Sequence, residues 1–185
     1  ALPIYQEALA LMPSGYVQNY IFKGSGSFRF ENKSAKWLPQ ERTCSAATAL
    51  ADLDNDGDLD IIVNNVDGKP GIYINQTNAS ANYLKIKLEY KEPNLYAIGS
   101  RVYSYHKDVM QMKELYTARG FQSSSEPFIH FGYGTHATVD SLVVIWPNGK
   151  RQKLNLVNLN QTLTIRYSEQ DESNIFRRSE NESPI

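Results

Sequence analysis

The chain has 185 residues, with 41% hydrophobic and 21% charged residues and a formal net charge of −1. That balance gives no electrostatic pull towards nucleic acid or an anionic membrane, and no apolar run is long enough to span a bilayer. Cys44 is the single cysteine, so an internal disulfide is excluded. The length suffices for one domain or two small ones. Twelve tyrosines, many Asn and Ser residues and short β-branched runs broken by Gly, Asn and Pro point to an all-β protein of the exported kind. Five N-x-Ser/Thr sequons, at Asn32, Asn75, Asn78, Asn160 and Asn181, carry little weight in so Asn-rich a chain. Neither a signal peptide nor a lipidation box is present, and the sequence reads as structured from Ala1. The expectation is a piece of a larger protein whose export signal lies upstream.

Residues 2–12 favour a short helix starting near Pro3, which Pro13-Ser14-Gly15 ends. Residues 1–18 thus form a helical lead-in. Asn19 to Lys23 and Phe28 to Asn32 are aromatic strands around Gly24-Ser25-Gly26-Ser27, a hairpin. A connector with Trp37 and Pro39 leads to a small-residue strand over 46–51.

Residues 52–60 then read Asp-Leu-Asp-Asn-Asp-Gly-Asp-Leu-Asp, with five carboxylates at every second position. A turn at Gly57 can fold Asp52, Asp54, Asp56 and Asp60 around one point. A hard cation with oxygen ligands suits them, and Ca2+ accepts many flexible carboxylates more readily than Mg2+ does. The expected ligands are side-chain oxygens of Asp52, Asp54, Asp56 and Asp60 and the backbone carbonyl of Asp58, whose own side chain points to solvent. An EF-hand is excluded because Val63 stands where its twelfth-position Glu belongs, and the flank is a β-branched run over 60–66. The alternative is a solvated acidic turn. Gly71 to Asn75 is a further strand and a weak echo of Tyr20 to Lys23. A period of about fifty residues with short aromatic strands is that of propeller blades.

From Asn82 the pattern changes. Tyr83 to Tyr90 alternates apolar with polar, a strand with one wet face. Strands follow at 98–105, 109–117, 127–132, 139–146, 152–156 and 161–167, with Pro147-Asn148-Gly149-Lys150 as a turn. These short antiparallel strands suit a β-sandwich or partly open barrel over 79–168. A polar tail, 169–185, is expected to be loosely ordered.

Two family patterns coincide on these residues. Asn19 to Gln76 resembles an FG-GAP or VCBS-type repeat, through the aromatic segment 19–30, the run Ala51 to Asp60, and Gly71-Ile72-Tyr73-Ile74-Asn75. Asn82 to about Tyr167 resembles the ASPIC/UnbV domain. The matching runs are Ile98 to Val102, Gly120 to Pro127, His130 to Gly134, Val139-Asp140-Ser141 and Trp146 to Lys150. The sequence departs at Ala97, where that family usually has Gly. The resemblance implies a propeller-blade-like repeat with calcium on Asp52, Asp54, Asp56, Asp58 and Asp60. Exported surface proteins of gut Bacteroidetes are similar. No catalytic residue transfers.

Other candidates read as structural. His106, His130 and His136 form no metal spacing with each other or with Cys44; His130 is expected to hydrogen-bond near the Gly132–Gly134 turn. Ser123-Ser124-Ser125 lacks the G-x-S-x-G frame of a nucleophile elbow. Trp146 packs over a sandwich edge or stacks on a sugar, and packing is preferred. Arg119 and Glu114 are a further candidate polar patch near Gln122. The function read here is a non-enzymatic, calcium-stabilised binding or scaffold module of a larger exported or cell-surface protein, and the alternative is a carbohydrate-binding or accessory domain. The expected partner is an unidentified protein or glycan, or other blades of the parent protein, with no nucleic acid and no membrane insertion by this chain.

Overall fold

The computed structural model describes residues 6, 7, 11, 15–26, 28–66, 68–76 and 81–169. The expected helix over 2–12 falls mostly outside them, although Gln6, Glu7 and Leu11 are helical. The polar tail lies outside them beyond Glu169. The described chain is mainly β, as its short β-branched and aromatic runs imply.

It divides into two compact units that interleave along the sequence. The first comprises Ala1–Ala51, Asp60–Ile74 and Arg119–Ser124; the second comprises Asp52–Leu59, Asn75–Ala118 and Ser125–Ile185. The acidic loop groups with the second unit, although both strands that it joins belong to the first.

In the first unit, β1 (Val17–Gln18) pairs with β4 (Arg42–Thr43), and β2 (Phe22–Gly24) pairs with β3 (Phe30–Asn32), all antiparallel. The β2–β3 hairpin is the one legible in the sequence. Between β3 and β4 stands a single helical turn, α1 (Ser34–Trp37). The Asn32 side-chain carbonyl accepts from the Ser34 amide at 2.9 Å, and the buried Ser34 hydroxyl accepts from the Ile21 amide at 2.9 Å. A short polar side chain thereby anchors an otherwise thin segment. The main sheet is β5 (Ser45–Ala51), β6 (Asp60–Asn65) and β7 (Gly71–Tyr73), antiparallel in that order. Its small and β-branched residues suit close packing, yet Val63 is the only buried hydrophobic residue among those described in this unit. Tyr20, Phe22, Phe28 and Phe30 all stand exposed.

The second unit has a proper core. One sheet runs β10 (Val109–Glu114), β9 (Arg101–His106), β12 (Thr138–Ile145), β13 (Arg151–Asn158), antiparallel throughout. The other runs β11 (Ile129–Gly134), β8 (Asn82–Glu89), β14 (Gln161–Arg166). Alternation puts Leu84, Ile86 and Leu88 of β8, and Ile129, Phe131 and Tyr133 of β11, into one cluster with Val102, Leu142 and Val144 of the first sheet. Each such aliphatic side chain removed from water contributes roughly 1.5–3 kcal/mol. Two sheets sharing one core make a sandwich, and neither closes into a barrel.

One pairing differs from the all-antiparallel expectation: β14 runs parallel to β8, with Leu163 opposite Ile86. The turn after β13 explains it. Asn160 has φ +57, its amide donates to Tyr83 O at 2.7 Å, and its side-chain oxygen accepts from the Tyr83 amide at 3.1 Å. The chain crosses between sheets there instead of folding back as a hairpin. The turn at 147–150 is as expected, with Gly149 donating to Trp146 O at 2.8 Å.

Candidate metal centre at the acidic loop

Residues 52–59 form an irregular loop between β5 and β6. Asp54 Oδ1 accepts from the Asp56 amide at 3.3 Å, and Asp56 Oδ1 accepts from the Asp58 amide at 3.0 Å. Each is a short aspartate folding back onto the backbone two residues on. Asn55 and Gly57 take positive φ, +60 and +94, which coils the chain instead of letting its side chains alternate.

The coil brings together three of the five aspartates. Asp52, Asp54 and Asp56 each offer a carboxylate oxygen, all within 4.8 Å of one another. Two full charges at that separation repel by about 1 kcal/mol in water and by a few kcal/mol at an effective dielectric of 20. Asp52 Oδ1 is buried and has no hydrogen-bond partner among the described residues. Converging carboxylates with an orphaned buried oxygen fit a hard, oxygen-seeking cation. Asp60 is fully buried at the start of β6, opposite Ala51 in the first unit, and is not one of the three. Asp58 also stands outside the trio, and both of its carboxylate oxygens are buried rather than turned to solvent.

Two residues of the second unit hold the loop. Tyr83 and His130 project from the outer face of the sheet, on adjacent strands β8 and β11, with Gly132 opposite Tyr83 and Lys85 opposite His130. Their rings stack 5.7 Å apart and within 5° of parallel. His130 Nε2 donates to Gly57 O at 2.7 Å. Burial holds the His130 imidazole below its ordinary pKa, against the opposing effect of this hydrogen bond. Gly57 itself is buried against Tyr83: a Cβ there would lie 1.9 Å from Tyr83 Cε1. Glycine at 57 is thus required by backbone angle and by contact. The His130 partner is not near the Gly132–Gly134 turn, as expected from the sequence, but 73 residues away in the acidic loop. The role of Tyr83 is not legible in the sequence, because strand alternation marks it only as outward-facing. Beside the loop, a cleft of about 240 Å³ is lined by Asp56, Asp58, Asn82, Tyr83 and His130.

The remaining candidates fall elsewhere. Trp146 is buried, stacks on Tyr90 at 5.7 Å, meets Tyr167 edge-on at 5.3 Å, and donates Nε1–H to Gln152 Oε1 at 3.1 Å. It packs and cannot offer its face to a sugar. Glu114 pairs with Arg101 at 3.4 Å. Ser123 Oγ donates to Arg119 O, as a polar loop does.

Comparison with known families places these features. The FG-GAP-like repeat matches residues 6–63, and ASPIC and UnbV matches residues 90–172. The chain combines an FG-GAP-like repeat with an ASPIC and UnbV domain. No curated protein matches it. The repeat match contains the acidic loop with Gly57, whereas the ASPIC and UnbV match contains His130. FG-GAP-like repeats often bind calcium through such loops, and this one keeps three carboxylates converged. Ala97 has φ +55 and is fully buried, a left-handed backbone position that glycine adopts without steric cost.

Proposed function

We propose that the protein is a non-enzymatic, calcium-stabilised binding or scaffold module of a larger exported or cell-surface protein. The convergence of Asp52, Asp54 and Asp56 carries this reading. Calcium in this role neutralises mutually repelling carboxylates and fixes a loop; it performs no chemistry. Asp52, Asp54 and Asp56 hold the ion, with backbone carbonyls and water completing the six to eight oxygens that calcium takes. The exposed Tyr20, Phe22, Phe28 and Phe30 of the repeat support association with further protein, such as neighbouring blades of the parent. Among the described residues, no helix is long and apolar enough to cross a membrane. For the glycan-binding alternative, Trp146 is buried and drops out as a stacking face.

Thermal unfolding in calcium and in chelator tests the proposal. Ion at a hundredfold excess over Kd stabilises by about 2.7 kcal/mol, roughly 5–10 °C in Tm for a chain of this size. Asp54→Ala abolishes most of that shift. Identical melting curves in calcium and chelator would refute the reading.

A further inference from the structure

The acidic loop is covalently part of the repeat, yet everything that shapes its turn belongs to the second unit. The Gly57 carbonyl is fixed by His130 Nε2 at 2.7 Å. The Gly57 α-carbon faces the Tyr83 ring with no room for a methyl group. Tyr83 is held in turn by Asn160 on both its amide and its carbonyl. Asn75 adds a bond from its side-chain amide to Leu59 O at 3.4 Å, at the loop's far end. The carboxylate trio lies immediately before this grip, and its mutual repulsion pushes the coil to open.

We propose that His130 and Tyr83 are positioning residues for the cation loop, and that ion binding therefore stabilises the 82–166 β domain and not merely the β5–β6 hairpin. The inference rests on the calcium reading above. His130 touches no ligand oxygen; it fixes the carbonyl of the residue between Asp56 and Asp58. That hydrogen bond holds the turn in its coiled form before any ion arrives, so less ordering remains to be done on binding. Because β8 and β11 carry the two holding residues, an ion that closes the loop resists the opening of those strands.

The test uses the whole chain. Calcium affinity is measured by calorimetry, and amide hydrogen exchange is followed across β8 and β11 in calcium and in chelator. In the wild type, calcium slows exchange in both strands. His130→Phe keeps the ring and removes the donor; its calcium Kd rises about tenfold, one hydrogen bond's worth, and the protection of β8 and β11 by calcium is lost. His130→Gln, which retains an Nε2–H donor at similar reach, recovers most of the affinity. That rescue separates positioning from general packing, since Gln replaces the donor and not the ring. If His130→Phe lowers the melting temperature in chelator but binds calcium as the wild type does, the inference is overturned. If calcium protects only β5 and β6 in the wild type, it is likewise overturned. A wild type that binds no calcium sinks the earlier reading itself, a failure visible before any variant is made.

Discussion

Gly57→Ala offers the most direct check on the loop's geometry, and it needs no ion. Gly57 has φ +94, and a Cβ would lie 1.9 Å from Tyr83 Cε1 and 2.4 Å from Cδ1 and Cζ. The left-handed backbone costs an L-residue about 1–2 kcal/mol. Forcing a methyl group against a ring pinned by its own backbone bonds adds about 1–3 kcal/mol of overpacking. The sum is about 2–5 kcal/mol, which lowers Tm by roughly 4–20 °C for a chain of this length. Tyr83→Ala separates the two contributions. In that background the overpacking vanishes and only backbone strain remains, so Gly57→Ala costs about 1–2 kcal/mol there. Denaturant unfolding of the wild type, both single variants and the double variant gives the coupling energy, expected at about 1–3 kcal/mol. Additivity within about 0.5 kcal/mol would show that Tyr83 does not confine Gly57, and the account of the loop would fail.

Two further outcomes follow from the sandwich core. Trp146→Ala removes a buried ring that stacks on Tyr90 and meets Tyr167 edge-on, and should cost about 3–5 kcal/mol; thermal melts in calcium and in chelator should show the same loss, and a drop under about 1 kcal/mol would mean that the indole is not buried. Tyr133 is buried in the core, and that burial pushes its phenol above the ordinary value of 10.0, opposed by the 2.6 Å hydrogen bond to Ser104. The unfolded phenol therefore ionises first as pH rises, the unfolded state binds fewer protons there, and stability falls from about pH 10 upwards. Tyr133→Phe should remove that part of the alkaline loss while lowering stability at neutral pH by about 1–3 kcal/mol, because the buried Ser104 hydroxyl loses its partner. Urea midpoints at pH 7, 9 and about 10.5 check both limbs, and an alkaline decline unchanged in the variant refutes the assignment.

How much was legible varies by element. The strands over 46–51, 60–66 and 83–90 are legible because each has a local cause: small or β-branched residues in a run, or strict alternation with one wet face. The turn at 147–150 was equally local, since proline, asparagine and glycine set its backbone angles. The nonapeptide marks a candidate cation loop because five carboxylates so close together repel without a counter-ion. Which of them converge was not readable from spacing. Coiling at Asn55 and Gly57 selects Asp52, Asp54 and Asp56, while Asp60 is taken up by the β6 pairing and Asp58 is buried apart from the trio.

The sequence by itself determined the β character, the acidic loop and the order of the two family patterns, because each rests on interactions between residues near in the chain. Tertiary structure alone decided that β14 lies parallel to β8, that Trp146 is buried, and that the repeat's loop belongs with the second unit. Those outcomes depend on partners such as His130 and Gly57, which are 73 residues apart. No local pattern encodes such a meeting; it arises where the acidic loop docks on the outer face of β8 and β11.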